Sequence, residues 1–242
     1  MSCAVRARRG RWLALALCGL SATCGAEGLV LGATRLILDE DAPETHLVLS
    51  NTGQRPLLLQ SWIDAGDAQA DPAAVDVPLA ADAPLLRIEP QRTAALRVRM
   101  LATGALDRGR EHLYYLNVLD VPATAHAAAA EQPRFALAVR SRIKVFYRPA
   151  GLPGHADSAP AALQWRVTGD GLQVRNPTPW FVNLTRCQWN GVTLEDHHGV
   201  VPPWSERVLA ANGPADPDRA ALRCGWVDES GVERHLQAVP EE

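Results

Sequence analysis

Residues 135–149 read Phe-Ala-Leu-Ala-Val-Arg-Ser-Arg-Ile-Lys-Val-Phe-Tyr-Arg-Pro, and this stretch decides the fold. From Phe135 to Tyr147 the odd positions are Phe135, Leu137, Val139, Ser141, Ile143, Val145 and Tyr147. The even positions are Ala136, Ala138, Arg140, Arg142, Lys144 and Phe146. Strand side chains alternate between faces, so the pattern describes a strand with one apolar face and one that turns basic toward its C-terminal end. An ordinary sandwich strand, with one face in a core and one in water, accounts for the alternation. It does not account for the length, because strands run to about five or six residues. Nor does it explain why the basic positions fall just before Pro149, where the pattern stops. Lys144 is also the single lysine among 24 basic residues. Chance must place one lysine somewhere, but a compact ammonium on a flexible stem does different work from a planar guanidinium.

Outward from this strand the signals are again those of strands. Leu29 to Leu38 is a short apolar run, and His46 to Ser50 leads to the turn Asn51-Thr-Gly53. Leu57 to Ile63 ends at Asp64-Ala-Gly-Asp67. In Ala94 to Met100, Leu96, Val98 and Met100 alternate with Arg97 and Arg99. His112 to Val118 is rich in aromatic and branched residues. Short runs with turn residues at roughly ten-residue spacing argue an all-β sandwich. No long segment carries a sustained helical stripe. Pro149 to Ala162 is rich in Pro, Gly and Ala, and a second strand series follows from Leu163 to Val227. The chain therefore divides near residues 149–160 into residues 27–150 and 151–242, both all-β.

The first 26 residues are set apart by composition. Arg6, Arg8, Arg9 and Arg11 precede an apolar run from Trp12 to Leu20 and the small residues up to Ala26, with no acid among them. This is the three-part pattern of a secretory signal, with cleavage expected after Ala26. Arg8-Arg9 also forms the pair of a twin-arginine signal, though an Arg-rich start makes that pair cheap. Cys24 lacks the leucine and the small preceding residue that lipid modification would want. Residues 27–242 keep 20 basic residues against 27 acidic ones, a formal charge of −7. That balance argues against nucleic acid as a partner. The apolar run is too short to span a bilayer and no other long apolar segment follows, so no membrane insertion is expected. Cys187 and Cys224 remain, and in an oxidising compartment they are expected to form one disulfide. The alternative, a metal pair, lacks His or Cys at ligand spacing. A bridge of that span contributes about 3–4 kcal/mol by loop-closure entropy.

Nothing in the sequence suggests catalysis or a cofactor: there is no Gly-rich phosphate loop and no nucleophile elbow. His197-His198 beside Glu195 and Asp196 is better read as a turn than as a metal site, because adjacent strand residues face opposite ways.

Arg142-Ile-Lys-Val-Phe-Tyr-Arg-Pro149 resembles the end of the first domain in PapD-like periplasmic pilus chaperones. Further matches occur in the family's order over nearly the whole mature chain. They are Gly32-Ala-Thr-Arg-Leu-Ile37, Gln60-Ser-Trp62, Arg87-Ile-Glu-Pro90, Arg110-Glu111 with Asn117 and Pro122, and Asn176-Pro-Thr-Pro179. The resemblance implies two immunoglobulin-like sandwiches in a boomerang arrangement and a periplasmic chaperone of pilus subunits. Such a chaperone works by donor-strand complementation and delivers subunits to an outer-membrane usher. Arg35 and Lys144 would anchor a pilin's C-terminal carboxylate in the interdomain cleft, and Phe135, Leu137 and Val139 would be donor residues. Glu111, Arg148 and Asp228 match a charged trio that bridges the domains. The apolar strand also admits a self-capping dimer, in which two copies cover each other.

The sequence departs from the family pattern at three places. Ala83-Pro84 stands where two prolines are usual, which puts a cis peptide there in doubt. His112 replaces a small hydroxyl residue, and Leu38 to Asp41 is more acidic than usual. The 122–134 loop is relatively short, as in the subgroup that assembles rod-like pili. The competing class is an exported two-domain sandwich acting as a structural or adhesive surface protein. It would share the export signal, β-content and disulfide but would have no need of Arg35, Lys144 or the 135–139 alternation.

Overall fold

Leu29 to Leu38, one apolar run in the sequence, forms two strands in different sheets. The computed structural model describes residues 28–104, 106–121, 137–169, 171–195, 199–211 and 221–241. The expected signal segment, the 122–134 loop, Phe135 and His197-His198 lie outside the described residues. β1 (Leu29–Leu31) pairs antiparallel with β3 (Glu44–Asn51), whereas β2 (Arg35–Asp39) runs parallel to β9 (Val139–Arg148). The crossing begins at Gly32, where a Cβ would lie 3.0 Å from that of Val48. Glycine is wanted there because the two backbones approach closely.

The remaining strands of the first half are β4 (Leu57–Asp64), β5 (Leu79–Ala81), β6 (Leu85–Ile88), β7 (Thr93–Met100) and β8 (His112–Val121). They make a four-stranded sheet, β1-β3-β7-β5, and a five-stranded one, β2-β9-β8-β4-β6. One apolar cluster fills the space between the two sheets. Leu47, Leu49, Leu96 and Val98 come from the first; Leu36, Leu38, Leu59, Leu116, Val118 and Val145 come from the second. The period-2 alternation seen in the sequence places these residues inward and Arg97, Arg99 and His46 outward. No peptide bond in the described chain is cis, Ala83-Pro84 included.

β9 is ten residues long rather than the expected thirteen. Its pairing with β8 begins at Asp120 opposite Val139, and β8 itself ends at Val121. Leu137 and Ala138 thus run past the end of the sheet without a strand partner among the described residues. Ile143, Val145 and Tyr147 are buried in the core, while Leu137 and Val139 are 69% and 52% exposed. One apolar face therefore does two things, closing the core at one end and standing in solvent at the other.

After Pro149 the connecting segment contains a short 3-10 helix (Ala156–Ala162). The second half holds β10 (Gln164–Thr168), β11 (Gly171–Asn176), β12 (Val182–Trp189), β13 (Val192–Glu195), β14 (Val200–Val201), β15 (Ser205–Ala211), β16 (Leu222–Val227) and β17 (Glu233–Ala238). They join in the order β10-β11-β15-β13-β12-β16-β17, with β14 paired to β12. The sheet encloses a second core, built from Trp165, Leu172, Val174 and Leu209 facing Val182, Leu184, Leu222 and the two cysteines. Cys187 and Cys224 stand opposite each other on β12 and β16 and are bonded. No helix among the described residues is long and apolar enough to cross a membrane.

Candidate functional site: the cleft between the two sandwiches

The parallel pairing of β2 with β9 sets Arg35 opposite Lys144, Ile37 opposite Phe146 and Asp39 opposite Arg148. The residues between them, Leu36 and Leu38 with Val145 and Tyr147, point into the core. Alternation therefore turns the first set to the opposite face, where Arg35, Ile37, Phe146 and Arg148 line a narrow cavity. The facing wall belongs to the second half: Phe181 and Asn183 near the start of β12, Trp226 and Val227 at the end of β16, then Glu229. Lys144 is half-buried on the strand that runs along this cleft.

The arginines that precede Lys144 on this strand have partners on the first sandwich. Arg142 binds Asp64 through Nη2 at 2.5 Å and lies 3.6 Å from the centre of the Tyr115 ring. Asp64 is buried, and Asn117 also donates to it. Burial raises its pKa, but the hydrogen bonds from Arg142, Asn117 and Gly66 outweigh this and hold the carboxyl below its usual range. Arg140 donates to the Ala68 carbonyl beside Trp62. Both arginines are thus fixed to the outer face of the first sandwich.

Arg35 is held from the other side of the cleft. Its Nη1 donates to the Val227 carbonyl at 3.1 Å. Burial pushes its pKa down, against the attraction of Asp228, Asp157 and Glu111. Partial loss of water strengthens the charge-assisted hydrogen bonds such a cation makes, while the acids around it compete for its charge.

Glu111 and Arg148 are brought together. Arg148 Nε donates to Glu111 Oε1 at 2.8 Å, and Glu111 Oε2 accepts from the backbone N–H of Phe181 at 2.9 Å. The Glu111 N–H in turn donates to the Pro179 carbonyl. One glutamate of the first half therefore fixes the Asn176-Pro-Thr-Pro179 corner of the second. Burial raises the Glu111 pKa, opposed by the Arg148 charge. Burial works against the Arg148 cation, yet Glu111 and Glu229 outweigh it and raise its pKa. The Arg148 guanidinium also lies 5.2 Å from the Trp180 ring.

Asp228 is placed beside this pair and not bonded to it. The acid bonded to Arg148 from the second half is its neighbour Glu229, at 2.5 Å. Asp228 organises the hairpin between β16 and β17: it accepts from Ser230, from the Val232 N–H and from Arg234 Nε. The hydrogen bonds from Ser230 and Arg234 lower its pKa to about 2. Gly231, in that hairpin at φ +83°, approaches Thr34 of the first half so closely that a Cβ would meet its hydroxyl at 2.8 Å. Asp228 thus holds in shape the turn whose neighbours touch Arg35 and Thr34.

Sequence reasoning missed three contributors. Glu229 went unnoticed because adjacent residues give no sign of which one turns toward a distant arginine. Glu40 sits in the unusually acidic stretch; it takes a bidentate pair from Arg108 and accepts from the Ala150 N–H, clamping the start of the linker. Asn183 lies within a strand, and nothing in its sequence neighbours marks it out. Among the described residues no group of three or more His, Cys, Asp or Glu side chains could hold a metal ion.

Comparison with known proteins agrees with this architecture. Residues 28–153 match the family model described as "Pili and flagellar-assembly chaperone, PapD N-terminal domain", and residues 158–238 match "Pili assembly chaperone PapD, C-terminal domain". The chain is 36% identical over 192 residues to a probable fimbrial chaperone, YadV, of Escherichia coli K12, covering 76% of this chain and 78% of that one. It is 38% identical over 204 residues to the chaperone protein FimB/FhaD of Bordetella pertussis, with coverages of 83% and 82%. Among solved structures, the YadV chaperone superposes with a TM-score of 0.70 at 31% identity, covering 87% of this chain and 98% of that one. A Salmonella enterica complex of the SafA pilin with the SafB chaperone gives 0.76 at 25% identity, with coverages of 89% and 97%. These matches favour a chaperone over a structural or adhesive surface protein. With both of its halves matched in order, the chain belongs to the PapD-like pilus-assembly chaperone family.

Proposed function

We propose that this chaperone acts in the periplasm and binds pilus subunits by donor-strand complementation, gripping the subunit's C-terminal carboxylate with Arg35 and Lys144. The observation that carries the proposal is the register of β2 against β9. It pairs Arg35 with Lys144 on adjacent strands, and the far end of the Lys144 strand holds exposed Leu137 and Val139. A carboxylate between two cations in a partly dry cleft makes short, charge-assisted hydrogen bonds. From that anchor an extended chain laid along β9 runs toward the exposed apolar end, and the donor residues fill the groove of an incomplete subunit.

A subunit lacking a strand exposes both backbone edge and core, which makes it an aggregation hazard. The lent strand satisfies the edge with main-chain hydrogen bonds and covers the core with alternate side chains. Phe135 is assigned the outermost donor place. Glu111 and Arg148 keep the cleft at a fixed angle, assisted by Asp228 through its hairpin. The boundary near residue 150 separates a strand-donating domain from one that closes the cleft. An outer-membrane usher is the proposed recipient of the complex. Two free copies capping each other's exposed strands are the proposed resting form.

The test is to purify the protein from the periplasm of its source cells and identify what accompanies it by mass spectrometry. A pilin-like subunit in near-equal amount is expected. Recovery only in the cytoplasm, or alone under conditions where pili are made, overturns the proposal.

A further inference from the structure

The interdomain cavity holds two buried polar atoms without hydrogen-bond partners, the Arg35 Nε donor and the Asn183 Oδ1 acceptor. Asn183 is 6% exposed and lines the same cavity as Arg35. The strand register brings them close: Leu184 pairs with Trp226, so one step further along the two strands come Asn183 and Val227. Val227 is the residue whose carbonyl receives Arg35 Nη1. A buried amide oxygen that accepts nothing from its own chain calls for a partner from outside it. The Arg35 donor beside it points to what that is.

A donor and an acceptor together do not suit a simple anion such as phosphate or sulfate, which would leave the amide oxygen unpaired. They suit the end of a peptide, where a carboxylate and an N–H are carried on the same terminal residue. We propose that Asn183 is a specificity-determining residue that reads the last peptide group of the bound chain: Oδ1 accepts the terminal residue's N–H while Arg35 and Lys144 hold its carboxylate. The inference rests on the carboxylate-anchoring role proposed above and adds a recognition group on the second sandwich. The bound chain end is then held from both sides of the cleft, so that recognition requires both domains. Sites built to bond an N–H reject analogues lacking it, because their own polar group stays unpaired.

The probe is a fluorescein-labelled nonapeptide, Val-Thr-Val-Ser-Val-Thr-Val-Thr-Phe, made as the free acid, as the C-terminal carboxamide, and with its last peptide bond replaced by an ester. Binding to the intact protein is followed by fluorescence anisotropy. The ester is expected to bind about fivefold to tenfold more weakly than the acid, as loss of one buried hydrogen bond dictates. Asn183→Ala should bind the acid more weakly by a similar factor and no longer distinguish acid from ester. Asn183→Leu, which fills the volume without an acceptor, carries the same expectation should the alanine variant fold poorly. Equal binding of acid and ester by the parent protein overturns the Asn183 assignment, as does full ester discrimination by a folded Asn183 variant. In either case, preference for the acid over the carboxamide leaves the carboxylate anchor standing. No preference, or no binding of the acid, overturns the anchor and the Asn183 assignment with it.

Discussion

Arg35, on the second strand of the first sandwich, donates to the carbonyl of Val227 at the end of a strand in the other. One of the two proposed carboxylate anchors is therefore itself held by the opposite wall of the cleft. Lys144, its register partner, lies on β9 of the first sandwich. The two cations should respond differently to mutation.

Lys144→Ala should abolish co-purification with a pilin-like subunit while changing the urea unfolding midpoint little, since a half-buried lysine outside the core contributes less to folding than a core residue. Arg35→Ala should lose the subunit as well and also loosen the domain contact, because a hydrogen bond from a charged donor is worth about 1.5–3 kcal/mol. Limited proteolysis of the 150–160 linker reads that loosening. Unchanged complex yield for Lys144→Ala would sink its anchor role.

Leu137→Glu should weaken the complex by more than tenfold without lowering stability. The side chain is 69% exposed in a single copy, so a charge there costs the fold of one chain nothing. In an apolar groove the same carboxylate must be desolvated or protonated. Co-purification and thermal unfolding measured on one preparation separate the two effects. Loss of stability with retained binding would place Leu137 in the fold instead.

The two ends of β9 show what a sequence can and cannot reveal. Alternation from Phe135 to Tyr147 announced the strand, its apolar face and its basic face, because a period of two is written directly in residue type. It could not say where the sheet stops. That depends on the partner strand, whose pairing begins at Asp120 opposite Val139. The switch of sheets at Gly32 was equally hidden, since its reason is the approach of Val48 from a strand further along the chain. Arg35 and Lys144 came together only through family resemblance, as parallel register between distant strands leaves no local mark. Asp228 and Glu229 differ by one position and by which way each turns at a strand end, and residue type does not encode that. Asn183 is a strand asparagine like many others until its surroundings show the oxygen unpaired.

Arg148→Ala should cost about 3–5 kcal/mol, because it leaves Glu111 buried with an uncompensated charge. Glu229→Gln removes the other carboxylate from the same guanidinium, but that side chain is 39% exposed and its loss should cost only about 0–1 kcal/mol. Urea denaturation of the two variants gives the ranking directly. Equal losses would mean that Glu229 is the partner that matters and that Glu111 relaxes once its cation is gone.

Replacing Cys187 and Cys224 together by alanine should destabilise the second sandwich by about 2–5 kcal/mol. The first sandwich has its own core, so the loss should appear as early melting of one domain. Hydrogen exchange followed by peptide mass spectrometry distinguishes this from uniform loosening. Protection should fall in β11, β12 and β16 and persist in β8 and β9.

The hairpin closed by Asp228 gives a pH signature with a definite sign. Hydrogen bonds from Ser230 and Arg234 hold its carboxyl at about 2 in the folded protein, against about 3.9 for a free aspartate. A depressed folded pKa means that the unfolded chain takes up the proton first. The stabilisation from Asp228 is therefore complete above about pH 5 and is lost as pH falls toward 2. Asp228→Asn should lower the urea midpoint at pH 7 relative to the parent, and the difference should shrink steadily between pH 5 and pH 2.5. The hairpin carries Val227 and so braces Arg35, which means the variant should also bind a subunit more weakly at neutral pH. A midpoint difference that stays constant over this range would show that the Asp228 carboxylate is not held by those bonds, and that the hairpin keeps its shape without them.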